Sequence, residues 1–282
     1  MSAPYVRTQR TTWTRNRDAL IAMAPALLAG WYFHGLQAIL LTACVFLGAA
    51  AGEAILSLLI RKRLSLGDLS FAVSALVLTL LTPPDTPLWL AALAGAASAA
   101  VKLAFGGLGR NLVNPAVLAA LPLHVLFLRS LAYQMSLSPL AFLTLQASSA
   151  VLGGSSLLLL ALGWGFLLVR ALGRPVLSLS WLGAAMVFSL ALELLGLGLG
   201  GAAGAALLRP LLGGSLPLAA LFCASDSVTT PVLKRSQLIL GLFCGLVTAL
   251  GRQLLTLDLS LLLVILANLL SRPLDRLFLR RR

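Results

Sequence analysis

Long apolar runs separated by short polar or basic stretches dominate the chain. About twenty consecutive apolar residues are needed to cross the hydrocarbon core of a bilayer as an α-helix. The pattern therefore predicts ten transmembrane spans, over residues 19–36, 38–60, 68–82, 87–105, 113–128, 150–169, 176–196, 202–222, 236–252 and 255–271. Several of these spans are short or contain glycine and proline, which predicts broken helices. We expect an all-α membrane protein with about ten transmembrane helices.

The polar residues at the two ends of the chain frame one membrane domain. A basic arm over 1–18 and a basic tail over 272–282 flank an apolar domain over 19–271. Ten spans divide into two sets of five, over 19–128 and 150–271, and an odd number in each set would invert one half relative to the other. The residues of the two halves show no convincing self-similarity, so the inverted repeat rests on the number of spans alone.

Composition excludes a soluble domain. The chain is 60% hydrophobic and 10% charged, with a mean hydropathy of +1.00. Its net charge of +13 would suggest a nucleic-acid partner in a soluble protein. With the amino terminus inside, however, all 21 lysines and arginines except Arg129, Arg209 and Arg252 fall on the inner side. This is the bias of the positive-inside rule, so we expect no nucleic acid, a lipid bilayer as surroundings and both termini in the cytoplasm.

Three polar segments interrupt the apolar sequence. The first is a glycine-rich loop, "FGGLGRNLVNPAVLAAL" at 105–121. The pair Asn114–Pro115 is typical of an N-cap and a first helical position, so a helix is predicted to start there. Backbone amides at such a start favour an anion or the polar edge of a ring. A tight cytoplasmic turn between two spans explains the same residues.

The second interruption is "CASDSVTTPVLKRSQ" at 223–237. Pro231 prevents a continuous helix, and unwound backbone at membrane depth is tolerated only where protein or water covers it. Asp226 is a candidate functional residue, because ionisable groups near the membrane interior are expensive. The alternative is a loop at the inner boundary in which Lys234 and Arg235 serve as topology anchors.

Other polar residues favour structural roles. The third interruption, "LTPPDTPLW" at 81–89, is predicted to be a structural turn. The positions of His34 and His124 indicate packing at the membrane interface. The three cysteines form no spaced disulfide or metal-ligand set, and we expect no metal site. Charges within apolar text, Glu53 and Lys102 among them, require a partner or a wet cavity, and Glu53 and Asp226 are candidates for an ion pathway.

Two of these segments resemble signatures of the RnfD/NqrB family. "GGLGRNLVNPAV" is similar to its "GGLGxNxxNPA" motif, and "ASDSVTTPVLKRSQLILGLFCGLVTALGR" resembles its "ATDPVTSPxxxKGQxxFGxxxGxLTxxIR" segment. The opening "PYVRTQRTT" with "ALIAMAPALLAGWYFHGLQA", and "LLTPPDTPLWLAALAG", also match in the same order. The resemblance covers most of the chain.

The resemblance implies a membrane component of an ion-translocating electron-transport complex of the Rnf type, a ferredoxin:NAD oxidoreductase. The family lies in the cytoplasmic (inner) membrane of bacteria and archaea and assembles with other membrane subunits and with flavin or iron–sulfur subunits. Its fold is a ten-helix bundle of two inverted halves. Its redox groups are FMN esterified to a threonine and, in some members, riboflavin, and the resemblance implies cofactor-binding roles for Asn111, Asn114, Asp226 and Thr229.

The segment between the fifth and sixth spans departs from the family. It reads "RSLAYQMSLSPLAFLTLQASSAVLGGSS" and lacks the "DGxSGAT" motif at which the family attaches FMN. Aligning "SGATPL" with "MSLSPL" puts Ser138 in the position of the threonine, and Thr144 is the nearest threonine. Two alternatives to a flavin-carrying subunit therefore stay open: a cofactor-free structural or ion-pathway subunit of the same complex, and a stand-alone channel or transporter for small solutes.

Overall fold

A computed structural model describes residues 11–62, 66–107, 111–126, 151–199, 207–208, 210–211, 213–226 and 228–279. The regular elements within these ranges are helices, which confirms the predicted all-α class. The first helix, α1, spans Thr12–Arg61 but breaks at Gly35, where φ is 61° and ψ is −145°. Its two segments, 12–34 and 36–61, correspond to the first two predicted spans.

Eight further helices follow along the described chain. They are α2 (Ser70–Leu81), α3 (Leu88–Ala104), α4 (Pro115–Leu126), α5 (Leu157–Val169), α6 (Pro175–Leu194), α7 (Leu216–Leu218), α8 (Lys234–Leu254) and α9 (Ser260–Leu279). The short α7 continues as a π-helical turn over Ala219–Cys223. Two 3₁₀ turns, Leu66–Asp68 and Leu152–Ser155, precede α2 and α5.

Three of the described helices, α1, α6 and α8, are long and apolar enough to cross a membrane. The apolar helices α2, α3, α4 and α5 are shorter, at 10–17 residues. Short apolar helices of this kind are compatible with the predicted broken spans, but the count of ten remains a prediction. Helix α1 begins inside the stretch assigned to the amino-terminal arm, and α9 continues to Leu279, inside the predicted tail.

The span predicted over 202–222 is interrupted within its described residues, at a place that the sequence did not indicate. Residues 213–215 are not helical, Gly214 has a φ of +73°, and α7 begins only at Leu216. A Cβ on Gly214 would overlap a carboxylate oxygen of Asp258. The missing side chain therefore allows this carboxylate to approach the backbone, and hydropathy alone does not reveal that requirement.

Two close helix crossings organise the bundle. The second segment of α1 packs on α3 through Gly48 and Gly52, whose added Cβ atoms would overlap or press on the backbone of Ala92 and Ala96. Helix α8 packs on α6 in the same manner, through Gly241 and Gly245. Small residues four positions apart let two helix backbones approach closely. This close packing stabilises helix association in a bilayer, where burial of apolar surface provides no driving force because the lipid is equally apolar. Each predicted half thus contains one such crossing, between its second and fourth helices.

Contacts between α1 and α5 join the two predicted halves. Gly163 of α5 lies directly against the carbonyl oxygen of Ala22, so these helices touch through their backbones. Directly after the last residue of α5, the guanidinium Nε of Arg170 donates to Asp18 Oδ2 of α1 over 2.8 Å. A buried apolar core that includes Leu41, Leu123 and Trp181 continues through both halves.

Candidate functional site

Two of the polar segments that interrupt the apolar sequence, at 105–121 and 223–237, meet at one cavity of about 310 Å³. It lies between the first turns of α1, the starts of α2 and α4, the end of α3 and the loop that follows the π turn. Its polar lining comprises Thr12, Arg15, Asn16, Ser70, Ser74, Lys102, Asn111, Asn114, Ser225 and Asp226. Its apolar lining includes Met23, Val77, Leu167, Leu172 and Phe222. The cavity therefore has both a polar edge and an apolar body.

The glycine-rich loop forms one side of this cavity. Gly106 and Gly107 both have positive φ, at 94° and 89°, and their N–H groups donate to the last carbonyls of α3. The chain can then turn and begin α4 at Pro115, where Asn114 Oδ1 accepts from the N–H of Ala116 over 3.1 Å. The predicted cap at Asn114–Pro115 is confirmed.

Asn111 supplies an acceptor to the same side of the cavity. Its side chain is 9% exposed, and its Oδ1 atom is buried without a hydrogen-bond partner among the residues that the structure describes. A buried carbonyl oxygen left in this state costs about 1–3 kcal/mol. A ligand that donates an N–H or O–H at this point would recover that free energy.

The second motif forms the opposite side through a true helix break. The π turn ends at Cys223, and the single hydroxyl hydrogen of Thr230 can then be donated to the carbonyl oxygen of Ala224 or to that of Asp226. Pro231 follows, and α8 begins at Lys234. The predicted interruption is confirmed, and it presents Ser225 and Asp226 to the cavity.

Neighbouring helices hold this loop in place. The carboxylate of Asp275 in α9 accepts from the N–H groups of Val232 and Leu233, over 2.7 and 3.2 Å, and so caps the start of α8. Arg174 donates to the carbonyl oxygen of Pro231, and Ser271 Oγ donates to that of Thr229. The position of Asp226 is therefore set by α6 and α9 as well as by its own segment.

The charges around the cavity are mixed in sign. Arg15 and Lys102 border it as cations and Asp226 as an acid. Burial raises the pKa of Asp226, while the bond from Val228 and the charges of Arg15 and Arg174 oppose that rise. Lys102 also forms a buried ion pair with Glu53, at 2.9 Å from Oε2. The pairing expected for the charges in apolar text is confirmed for these two residues.

The structure brings together three of the predicted site residues. Asn111, Asn114 and Asp226 line one cavity. Thr229 is buried next to α9 and does not belong to the described lining, and Glu53 lies behind Lys102. The candidate attachment residues Ser138 and Thr144 lie outside the described residues.

Sequence reasoning missed the contribution of α1 and α3 to this site. Arg15, Asn16 and Lys102 line the cavity, although the basic amino-terminal residues were interpreted only as orientation signals. The polar face of Thr12, Arg15 and Asn16, spaced three and four residues apart, could have indicated a helix that begins before the apolar run. Among the described residues, no three His, Cys, Asp or Glu side chains form a metal-binding group.

Apolar helices long enough to cross a bilayer, close glycine crossings and a polar cavity at two helix breaks define an integral membrane protein. Residues 1–282 match the model of the NQR2, RnfD, RnfE family, and the chain belongs to this family.

Three relatives, each the D component of its complex, illustrate the similarity. The chain is 27% identical to that of the Na⁺-translocating ferredoxin:NAD⁺ oxidoreductase complex of Acetobacterium woodii, over 89% of this chain and 84% of the relative. It is 28% identical to that of the ion-translocating oxidoreductase complex of Methanosarcina acetivorans, over 84% and 77%. It is 25% identical to that of the proton-translocating ferredoxin:NAD⁺ oxidoreductase complex of Clostridium ljungdahlii, over 89% and 85%.

Proposed function

We propose that this chain is the D-type membrane component of an Rnf-type ion-translocating ferredoxin:NAD oxidoreductase, and that it carries electrons through a flavin held in the cavity. The observation that carries the proposal is the convergence of both family motifs on one cavity that contains an unsatisfied buried acceptor, Asn111 Oδ1. The chain acts as part of a complex and is not an enzyme alone.

The lining fits the chemistry of a flavin. A cavity of about 310 Å³ is at the lower end of the range for small-molecule sites, which extends from about 300 to 1,000 Å³. An isoalloxazine ring combines an apolar body with a pyrimidine edge that donates and accepts hydrogen bonds. Asn111 offers an acceptor to that edge, while Met23, Val77 and Phe222 offer apolar surface to the ring.

A bound flavin would supply reversible one- and two-electron chemistry, and the protein's own groups would orient it and set its electronics. Lys102 and Arg15 place positive charge beside the cavity and so favour negative charge within it. Asn114 Oδ1 already accepts a hydrogen bond from the N–H of Ala116. The contribution of Asn114 to flavin binding is therefore mainly to fix the turn at the start of α4.

The form of the flavin is part of the proposal. The cavity suits riboflavin or the ring of FMN, and covalent FMN would be attached at Ser138 or at Thr144. Both hydroxyls lie in the segment that departs from the family's attachment motif. The intact mass of the purified chain distinguishes these forms, because esterified FMN adds a defined increment that survives denaturation.

The proposal extends to location and assembly. We place both termini in the cytoplasm and the chain in the cytoplasmic (inner) membrane, with the two five-helix halves inverted relative to each other. The partners are the other Rnf-type membrane subunits and the flavin or iron–sulfur subunits. Glu53 and Asp226 are placed on the path of Na⁺ or H⁺, since Glu53 is a buried acid on α1 and Asp226 is an acid that lines the cavity.

Asn111→Ala tests the cavity directly. The full-length variant, purified together with its companion subunits, is expected to bind flavin about tenfold more weakly, because the ring loses a hydrogen bond in a buried site. Flavin absorbance per chain and the flavin released on denaturation are the measurements. Asn268→Ala is the matched control, because Asn268 is also buried but does not belong to the described lining.

Loss of flavin in both variants, or in neither, would contradict the proposal that the cavity is the flavin site. A wild-type chain that purifies with the complex yet contains no flavin would instead favour the cofactor-free ion-pathway subunit, for which the buried Glu53–Lys102 pair is the supporting observation. A chain that purifies without companions would favour the stand-alone channel or transporter.

A further inference from the structure

An open groove follows the crossing between α6 and α8 on the exposed surface of the bundle. It has a volume of about 320 Å³ and, among the described residues, shares none of its lining with the cavity at the two motifs. Leu179 and Val187 of α6 form one border, Leu238 and Leu242 of α8 form the other, and each of these side chains is about half exposed. The groove is therefore a surface on which an apolar chain can lie.

Small side chains form the floor of this groove. A Cβ on Gly183 would meet no atom within 4 Å among the described residues, so the space above this residue is open. Ser180 donates its hydroxyl hydrogen to the carbonyl oxygen of Leu177 over 3.0 Å and so has none left for the groove. Ala184, which also lines the groove, packs against Gly245, so the two helices touch beneath it.

The groove has the length of one leaflet of a bilayer. Its lining on α6 runs from Leu179 to Phe188, which is about 14 Å at about 1.5 Å per residue. The hydrocarbon core of a bilayer is about 30 Å thick, so one leaflet contributes about 15 Å. One acyl chain of a phospholipid is therefore long enough to fill the groove.

Both helices begin at the same end of the groove. Gly241 of α8 packs on Ser180 of α6, and Gly245, one turn later, packs on Ala184. Because the contact advances along both helices together, α6 and α8 run in the same direction. The groove therefore leads from the starts of the two helices into the apolar part of the bundle.

Lys234 and Arg235 lie at the start of α8, beside this end of the groove. They precede Leu238 by four and three residues, and residues at these spacings share one face of a helix. Both side chains are exposed, and neither forms an ion pair with an acid in the part of the chain that the structure describes. Two cations next to an apolar groove favour a ligand that joins an anion to a hydrocarbon chain.

The charged groups whose contacts place them nearest this end are engaged elsewhere. The carboxylate of Asp275 accepts two backbone N–H groups just before α8. Arg174 donates to the carbonyl oxygen of Pro231, and its charge acts on Asp226 at the cavity. The two cations of α8 therefore remain available to a ligand.

We propose that the groove binds one anionic phospholipid. Its phosphate lies on Lys234 and Arg235, and one of its acyl chains lies between α6 and α8. Basic residues at the membrane boundary attract anionic headgroups, and here the adjoining groove adds a site for the chain. The site is independent of the proposed flavin, because the groove and the cavity share no described lining residue.

A helix from a partner subunit fits this surface less well. A helical segment of the same length, about 10 Å across, would occupy about 1,100 Å³, more than three times the volume of the groove. It would also have to carry an acidic residue at the level of Lys234, whereas an anionic phospholipid has its phosphate at that boundary.

Photo-crosslinking of the full-length chain within its purified complex tests the site. The complex is placed in phosphatidylcholine nanodiscs that contain a small fraction of phosphatidylglycerol with a diazirine on one acyl chain. A matched probe carries the same chain on phosphatidylcholine. We expect adducts on residues 179–188 and 238–242, and about 25-fold more of them with the anionic probe, since each cation contributes about fivefold. Mass spectrometry of the peptides locates and counts the adducts.

The double variant Lys234→Gln/Arg235→Gln should reduce labelling by the anionic probe to the level of the phosphatidylcholine probe. Arg272→Gln/Arg276→Gln is the matched control, because it removes two exposed cations from α9, which contributes no residue to the described lining of the groove. This control should keep the preference for the anionic probe.

Gly183→Leu tests the groove by filling it. Its Cβ has open space, so the larger side chain should fit without moving a helix and should remove the adducts of both probes from the groove. Gly165→Leu makes the same change at an equally open glycine on α5 and should leave the labelling unaltered.

Each contrary result overturns the proposal. Equal labelling by the two probes, or a preference that survives Lys234→Gln/Arg235→Gln, would show that these cations do not bind the headgroup. An equal loss in the α9 control would show a general attraction of anionic lipid to this surface and not a site. A groove without adducts in the wild-type complex would indicate that a partner subunit covers it.

Discussion

Gly163→Ala is expected to destabilise the protein by about 3 kcal/mol, at the upper end of the range for overpacking. The new methyl group would overlap the carbonyl oxygen of Ala22 and press on the ring of Phe222. A backbone oxygen cannot rotate aside as a side chain can, so α5 would have to move away from α1. Thermal unfolding of the purified full-length protein in lipid nanodiscs measures the effect.

Gly165→Ala is the matched control in the same helix. A Cβ at Gly165 meets no atom within 4 Å among the described residues, and alanine favours a helix by up to about 1 kcal/mol over glycine. This variant should be neutral or slightly stabilising. Equal losses in the two variants would show that the close contact between α1 and α5 at Gly163 does not determine the result, because alanine at Gly165 makes no such contact.

Arg252→Met is expected to cost about 3–5 kcal/mol, the range for removing one partner of a buried ion pair. Arg252 is 2% exposed, lies 3.1 Å from Asp258 Oδ2 and donates to the carbonyl oxygen of Pro210 over 2.8 Å. Without it, Asp258 would be a buried carboxylate that keeps only its neutral donors, from Ser215 and Ser260.

The double variant Arg252→Met/Asp258→Asn distinguishes charge from packing. It removes both charges, and the carboxamide oxygen of asparagine keeps an acceptor for one of the two serines, Ser215 or Ser260, so its loss of stability should be smaller than that of Arg252→Met. Unfolding temperature and the yield of monodisperse protein are the measurements. A double variant as unstable as the single one would mean that lost packing, and not an uncompensated charge, dominates.

The sequence predicted the helix breaks well because their causes are local. Asn114 caps a helix through its own side chain, and Pro231, which lacks an N–H, lies in the non-helical stretch before α8, so both breaks could be predicted from neighbouring residues. The break at Gly214 was missed because its cause is distant. The carboxylate that approaches this glycine belongs to Asp258, more than forty residues further along the chain.

The site was predictable in part for the same reason. Asn111, Asn114 and Asp226 stood out as polar residues in apolar text and do meet at the cavity. The pairing of Lys102 with Glu53 could not be derived, because it depends on how closely α1 and α3 approach at Gly52. Periodicity shows that two helices exist, but the identity of the facing residues follows from their packing.

The cap that Asp275 provides across helices has a practical consequence for anyone who shortens or tags this chain. The apolar part of α9 ends before the basic residues, and trimming the chain at that point would look harmless. It would also delete the carboxylate that holds the N–H groups of Val232 and Leu233. A fusion partner is therefore better joined beyond Leu279, so that Asp275 and the rest of the described α9 are retained.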